Sequence, residues 1–413
     1  MLPGLKKRLI LSKIAPMVRL FHTSDWHLGR VLFGKNLIED QSEALDEILR
    51  LIDAHQPHGL LISGDVFDRS LPPEDAIRLL NQFLLQVIKD KKTPVFLIPG
   101  NHDSAERLGF ASHLLKDSRL HIFSRLEDSF HPVVLEGDDG VSVQIFGIPY
   151  IDPISIAQYL NDFNLRTHDE GLRALCKKIR QPMNANLSSV LLCHAFVAGG
   201  EESDSEKDLA IGGSSVVHVS AFEGFSYSAL GHLHKPQTLA QGKIRYSGSL
   251  FKYSKSEAKH RKSITEVFFD DNGLSHSKEH FITTRRTLHY LEGELESLID
   301  LGKSLQSETP APVTQEIEPR SEDYIITGLT DQGAIVDAFS RLRTVFPNLL
   351  HTSRVDRFQP KTLAGVSINQ QKNKSELDLF AEFFREATGT ELNPEERSIL
   401  IESLDDKTLC EAT

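Results

Sequence analysis

Short apolar runs alternate with amphipathic helical stretches from Val18 to about Phe123, a pattern that predicts an α/β layered domain. The runs are VRLFHTSD, GLLISGDVF and PVFLIPGN, and each closes on polar residues. Between the first two, Leu45, Ile48, Leu49 and Ile52 share one face of a helix; between the next two, Ile77, Leu80, Leu84 and Val87 do the same. The C-terminal ends of the strands therefore converge on one edge, which is where open α/β sheets bind ligands. Leu79, Phe83 and Ile88 widen the apolar surface of the second helix beyond a single stripe, so that helix is either buried on both faces or offers a surface to a partner.

Beyond residue 130 short strands take over. PVVLE and VSVQIFGI read as a hairpin turning at Gly137 to Gly140, a helical section follows at about 152–180, and SVLLCHAF has the pattern of a buried strand. YSALGHLH, KIRYSG and a hairpin from SITEVFFDD through Asn272-Gly273 to HFITT complete a first domain expected over 17–284. RTLHYLEG (strand), ESLIDLGKSL (helix), YIITGL (strand), GAIVDAFSRLRTVF (helix) and LLHTSRVDRF (strand) then predict a small α/β domain over 285–358, interrupted by SETPAPVTQEIEPRSED, a Pro- and Glu-rich exposed loop. A polar linker over 359–374 leads to a C-terminal helical segment over 375–413. There Ser375 and Asp378 form a capping-box-like start ahead of Phe380 and Phe384, and Asn393-Pro394 opens a helix bearing Ile399, Leu400 and Leu404. Residues 1–16, ahead of Met17, read as an N-terminal extension without assigned function.

Composition adds exclusions. The 413 residues allow two or three domains, and 39% hydrophobic with 25% charged residues excludes bulk disorder. Cys176, Cys193 and Cys410 form no CxxC pair, so a cysteine zinc site or disulfide scaffold is not expected and a reducing cytoplasm fits. No stretch approaches the roughly 20 apolar residues of a membrane span, and the basic N-terminus lacks the long apolar core of a secretory signal.

Five separated segments place metal-ligating residue types at strand ends: Asp25 and His27; Asp65; Asn101 and His102; His194; His232 and His234. Asp-x-His after an apolar strand sets a carboxylate and an imidazole on one side of an extended backbone, and His232-Leu233-His234 repeats that spacing. Asp65 adds a carboxylate able to bridge two ions, with Gly64 permitting close backbone approach. His, Asp and Asn without thiolates suit manganese, iron or zinc better than calcium or magnesium alone. The constellation points to a two-metal hydrolytic site, with Asp68 and Asp103 orienting its ligands from behind. His22, His55, His58, His113 and His218 have no such partners and read as structural or solvated.

The set DWH, GDVFD, GNHD, CHAF and GHLH resembles the five motifs of the calcineurin-like metallophosphoesterases. FHTSDWHLG, LISGDVFDRSLPP, IPGNHDS and ALGHLHKPQ are similar in particular to the SbcD family of bacterial nuclease subunits. The resemblance covers 17 to about 405, and is weakest over 303–375. It implies layered β-sheets flanked by helices, with a small capping domain that recognises DNA. One ion would be held by Asp25, His27, Asp65 and His234 and the other by Asp65, Asn101, His194 and His232; the family prefers manganese. Such a pair generates a hydroxide near neutral pH for in-line attack on phosphorus, while His102 would stabilise the developing charge or protonate the departing oxygen.

The ligands alone specify a phosphoesterase, not its substrate. A net charge of -12 does not look like a nucleic-acid binder as a whole. Locally, Lys235, Lys243, Arg245, Lys252, Lys255, Lys259, Arg261 and Lys262 are opposed only by Glu257 and interleaved with aromatic residues, directly after GHLH. Lys235, Lys252, Lys255, Lys259, Arg261 and Lys262 are the candidate DNA contacts, against the alternative of a solvated face. No GxxxxGK[ST] loop is present, so ATP dependence would come from another chain; the resemblance supplies an SbcC-type coiled-coil ATPase, docked on the C-terminal helices. It further implies homodimerisation through nuclease-domain helices within a heterotetramer. The expectation is a cytoplasmic, manganese-dependent DNA nuclease, 3' to 5' on double-strand ends and endonucleolytic on hairpins or single strands, serving replication, recombination and repair. The alternatives are a small-molecule phosphodiesterase or nucleotidase on the same fold, and a metal-free scaffold.

Overall fold

The computed structural model describes residues 17–206, 215–307, 318–332 and 335–355 and a few positions between 377 and 398. The N-terminal extension, most of the Pro- and Glu-rich loop, the linker and nearly all of the expected C-terminal helices lie outside the described residues. By contacts the chain divides into a unit of residues 1–352 and a shorter one of 353–413.

Two six-stranded sheets face each other in the larger unit. The first contains β1 (Val18–Thr23), β2 (Gly59–Ser63), β3 (Val95–Ile98) and β4 (Leu120–Ile122), with α1 (Ile38–His55) and α2 (Glu74–Leu85) between its first three strands. The second is built on β5 (Val133–Glu136), β6 (Ser142–Gly147), β7 (Ser188–His194), β8 (Tyr227–Gly231), β9 (Gln237–Leu239) and β10 (Ile244–Tyr246), with α3 (Pro153–Leu160) and α4 (His168–Ile179) between β6 and β7. The hairpin of β11 (Ser263–Asp270) and β12 (Gly273–Phe281) returns to the first sheet, giving the orders β12-β11-β1-β2-β3-β4 and β9-β10-β8-β7-β6-β5. β1 to β4 are parallel, as are β6, β7, β8 and β10, and β11 joins β1 antiparallel.

The near-continuous apolar strands follow from burial on both faces. Leu61, Phe96 and Ile98 meet Val190, Leu192 and Ala229 between the sheets. Their strand neighbours Leu60, Ile62, Val95 and Leu97 turn the other way onto Ala44, Leu45, Ile48 and Ile52 of α1 and Leu80 and Phe83 of α2. Leu191 and Cys193 of β7 likewise face Leu172, Leu175 and Ile179 of α4. The result is four layers, α/β/β/α, with the C-terminal ends of β1, β2, β3, β7 and β8 opening toward one shared site.

The small domain consists of β13 (Leu288–Gly293), α5 (Leu295–Ser307), β14 (Tyr324–Leu329), α6 (Ala338–Arg343) and β15 (Leu349–Arg354), its sheet ordered β13-β14-β15. One sheet face packs under the helices through Leu298, Ile299, Ile325, Leu342 and Phe346. The other sets Leu288, Tyr324 and Ile326 against Leu32, Leu37, Phe251 and Tyr253 of the first domain, and the Tyr324 hydroxyl donates to Asp40 over 2.6 Å.

Two expectations change. The buried stripe of α2 is Ala76, Leu80 and Phe83, continued by Val87 in the following turn, whereas Ile77 is 48% exposed. Phe83 meets Trp26 edge-on at 5.2 Å, so it belongs to the core rather than to a partner surface. The helix expected over GAIVDAFSRLRTVF is limited to Ala338–Arg343, because Asp337 ahead of it takes a left-handed backbone conformation that a helix cannot continue through.

Candidate metal centre

β1, β2, β3, β7 and β8 each end beside one buried pocket of polar side chains. Asp25, His27, Asp65, His102, His194, His232 and His234 are all buried, and Asn101 is half-buried beside them. Ligand atoms of Asp25, His27 and His234 lie within 4.8 Å of one another, as do those of His27, Asp65 and His102 and those of Asp25, Asp65 and His194. Asp65 is central: its Oδ2 is 3.5 Å from His194 Nε2, 3.8 Å from His27 Nε2 and 4.0 Å from His102 Nε2. The Asn101 amide oxygen is 2.9 Å from His194 Nε2. His232 stands next to His194, with ring centroids 5.5 Å apart, and its backbone N–H donates to Asp25 Oδ1 at 2.9 Å.

The backbone reaches these positions differently from the expected extended Asp-x-His. β1 ends at Thr23 and β8 at Gly231, and Asp25, His27, Asp65 and His232 have φ of 54°, 47°, 50° and 104°. The side chains converge because the chain turns back sharply, not because alternate residues of a strand share a face. Such conformations cost about 1–3 kcal/mol each and persist where the surroundings over-determine them. Here Asp25 and His27 donate their amides to the Gly64 and Asp65 carbonyls, each at 3.0 Å. Gly231 makes the close approach feasible, since a Cβ there would fall 2.0 Å from the Ser63 carbonyl oxygen and 2.8 Å from His194 Nδ1.

The donor set fits divalent cations. His194 Nδ1 is 2.9 Å from the Ser63 carbonyl, which requires the proton on Nδ1 and turns the Nε2 lone pair toward Asn101 Oδ1 and Asp65 Oδ2, two further acceptors. At the other end, His234 Nδ1 is held by Glu257 Oε1 at 3.2 Å and Ser205 Oγ at 2.7 Å, so its Nε2 lone pair faces His27 Nε2 at 3.0 Å. Ring nitrogens and acceptor oxygens packed this closely are held together by a cation or by a proton shared between them. In keeping with this, burial opposes protonation of His194, yet Asp65 and Asp25 outweigh it and lift its pKa to about 9.

Asp103 accepts backbone N–H groups from Val66, Phe67 and Gly100 at 2.8–3.0 Å, tying together the loops that carry Asp65 and Asn101. Burial and the Asp65 charge push its pKa to about 7. Asp68 pairs with Arg30 at 3.0 Å, and its carbonyl holds His102 Nδ1 at 2.7 Å. The sequence pattern does not single out Glu257 as a site residue. It is fully buried, binds Lys262 and orients His234; its signal in the sequence is that it is the lone acid in a basic run.

That basic run is only partly a surface. Lys262 is buried, bonded to Glu257, Ser249 Oγ and the His234 carbonyl, and Lys252 donates to the Ala258 and Leu288 carbonyls at 2.7 and 3.2 Å. Both are therefore corrected from DNA contacts to internal braces, since their ammonium groups are consumed by the protein. Arg245 is similarly paired with Glu279 and Lys235 with Glu201. Lys255, Lys259 and Arg261 are exposed, with Lys255 lying 4.0 Å over the Tyr290 ring and Arg261 3.7 Å over that of Phe281.

Residues 18–236 match the calcineurin-like phosphoesterase family, and residues 284–388 match a family described as type 5 capsule protein repressor C-terminal domain. The SbcD subunit of the SbcCD nuclease of Staphylococcus epidermidis is 30% identical over 364 residues, 88% of this chain and 92% of that protein. Among solved structures, TT1561 of Thermus thermophilus aligns with 64% of this chain and 99% of its own at 13% identity and a TM-score of 0.36. A dimetal phosphatase from Danio rerio aligns with 65% and 99% at 12% identity and a TM-score of 0.37. The family match and the relative make this chain a metal-dependent phosphodiesterase: it belongs to the calcineurin-like phosphoesterases, within the SbcD family of nuclease subunits.

Proposed function

We propose that the chain is a manganese-dependent DNA nuclease that works as one subunit of an ATP-driven complex. It removes nucleotides 3' to 5' from double-strand ends and opens hairpins or single strands endonucleolytically, in replication, recombination and repair. The carrying observation is the pocket in which Asp65 sits between the His27–His234 and Asn101–His194 pairs, in a chain 30% identical to an SbcD subunit of the SbcCD nuclease.

Asp25, His27, Asp65 and His234 would hold one ion and Asp65, Asn101, His194 and His232 the other. The chemistry that divalent ions would supply there is Lewis acidity toward the phosphodiester and a water-derived nucleophile near neutral pH. The protein's own contribution is orientation: Ser63 fixes His194, Glu257 and Ser205 fix His234, and Asp103 fixes the two loops. Because His102 Nδ1 donates to the Asp68 carbonyl, His102 would give a proton to the departing sugar oxygen only as the imidazolium, from Nε2, the nitrogen facing Asp65. The ATPase is an SbcC-type coiled-coil protein bound by the C-terminal segment, and two copies of the chain meet in the assembly, which is cytoplasmic. Among the described residues no helix is long and apolar enough to cross a membrane.

Cleavage of end-labelled linear and hairpin DNA with manganese, with and without the coiled-coil ATPase and ATP, tests the reading, with His102→Ala as the blank. Cutting that vanishes in the mutant and rises with ATPase plus ATP is expected. Hydrolysis of a small phosphodiester with no DNA cleavage under either condition would overturn it.

A further inference from the structure

A second group of metal-ligating side chains lies outside the phosphodiesterase site. His55 is the last residue of α1, Glu266 lies on β11 and His280 on β12. Their ligand atoms are within 4.8 Å of one another: Glu266 Oε2 is 2.7 Å from His280 Nε2 and 3.5 Å from His55 Nδ1, and the imidazole centroids are 4.2 Å apart. Phe21 packs on both rings, with centroids 6.0 and 5.7 Å away. The group therefore sits at the rim of the apolar layer between α1 and the first sheet.

Glu266 is 2% exposed. Only imidazoles meet it at ion-pair distance among the described residues, while Arg19 and Lys278 act on His55 from nearby. Lys278, its cross-strand neighbour, is exposed and forms no ion pair with it. A buried carboxylate needs a positive partner or a full set of donors. Two imidazoles and one carboxylate, with no thiolate, form the three-ligand donor set characteristic of zinc, which leaves a fourth position to water. The His55 side chain is 30% exposed, so solvent reaches that position. Zinc–ligand bonds of about 2.0–2.2 Å place tetrahedral donors roughly 3.4 Å apart; His55 Nδ1 and Glu266 Oε2 already stand at 3.5 Å, and His280 Nε2 and Glu266 Oε2, at 2.7 Å, would move apart to admit the ion.

We propose that His55, Glu266 and His280 form a zinc site that clips the C-terminal end of α1 to the β11–β12 hairpin at the edge of the first sheet. The clip secures an edge at which β12 has no outer neighbour among the described residues. It is independent of the reading of the phosphodiesterase pocket.

The test is a metal count by mass spectrometry on chelator-stripped chain re-equilibrated with zinc and manganese and passed through gel filtration. His55→Ala and Glu266→Gln are each expected to carry one equivalent fewer than the parent chain, with hydrolysis of a small phosphodiester unchanged. Asp65→Asn, which disturbs the other pocket, is expected to keep the equivalent that His55→Ala removes, so failure of either site is told apart from failure of the other. Zinc should also raise the melting temperature of the parent more than that of His55→Ala. The same count in the parent and in His55→Ala overturns the proposal, and the partly exposed His55 keeps that comparison valid if Glu266→Gln does not fold.

Discussion

His102 and Glu257 show how single residues divide the labour of the pocket. His102 Nε2 faces Asp65 while its other nitrogen is anchored to the Asp68 carbonyl, so its removal should take away a proton donor rather than a fold. His102→Ala is expected to lose about 10²–10⁴-fold in kcat while keeping the parent's manganese count and melting temperature; a mutant with parental turnover would assign the proton elsewhere. Glu257 acts through His234. Replacing Glu257 by Gln preserves its volume but weakens the hold on His234 Nδ1 and leaves Lys262 buried against a neutral amide. Metal affinity should fall about 10–100-fold, seen as a rightward shift of the manganese activation curve with kcat recovered at saturation. Parental manganese dependence would reduce Glu257 to a structural brace for Lys262. The strained backbone at Asp25, His27, Asp65 and His232 belongs to this scale too, because residues in such conformations are held in place by the pocket they build.

Among the elements, the small domain is anchored at the start of β13 and β14 by Asp323. Its carboxylate accepts the Thr287 and Arg320 amides at 2.9 and 3.0 Å and pairs with Arg320 and His289 at 2.7 and 3.2 Å. Burial would raise its pKa, but the His289 and Arg320 hydrogen bonds prevail and bring it down to about 2. With the folded value below the unfolded one, the stabilisation is fully present above about pH 4 and is lost as pH falls toward 2. It amounts to about 2 kcal/mol. Asp323→Asn should therefore be less stable than the parent by about that much at pH 7, and the two denaturation curves should approach each other between about pH 4 and 2. A pH-independent difference would remove ionisation from the account. The elements themselves are largely legible in the sequence: apolar runs flanked by amphipathic helices place β1, β2 and β3 correctly, because burial on both faces demands uninterrupted apolar strands. The face of α2 is not, since Phe83 and Ile77 are equally apolar and only the position of Trp26 decides which of them turns inward.

For the whole molecule the question is where a chain of net charge -12 meets a polyanion. Of the basic run after β10, Lys255, Lys259 and Arg261 remain exposed. Replacing these three with Ala should weaken DNA binding and flatten its salt dependence by up to about three counterions, while hydrolysis of a small phosphodiester proceeds unchanged. An unaltered salt slope would move the DNA path away from this segment.

The sequence alone determined the α/β layering, the chemistry-bearing residues at strand ends and their match to a phosphoesterase motif set, because periodicity and residue type are local properties. Tertiary structure decided the rest. Which ring nitrogens face one another depends on strands far apart in the chain, as with His27 and His234, and so does the tautomer that Ser63 imposes on His194. The same long-range packing turned Lys252 and Lys262 inward, made Glu257 a support for His234, and brought His55 beside Glu266 and His280, more than 200 residues away in the chain. Charge and composition cannot foresee such pairings, since burial and partner are fixed only when distant segments close on each other.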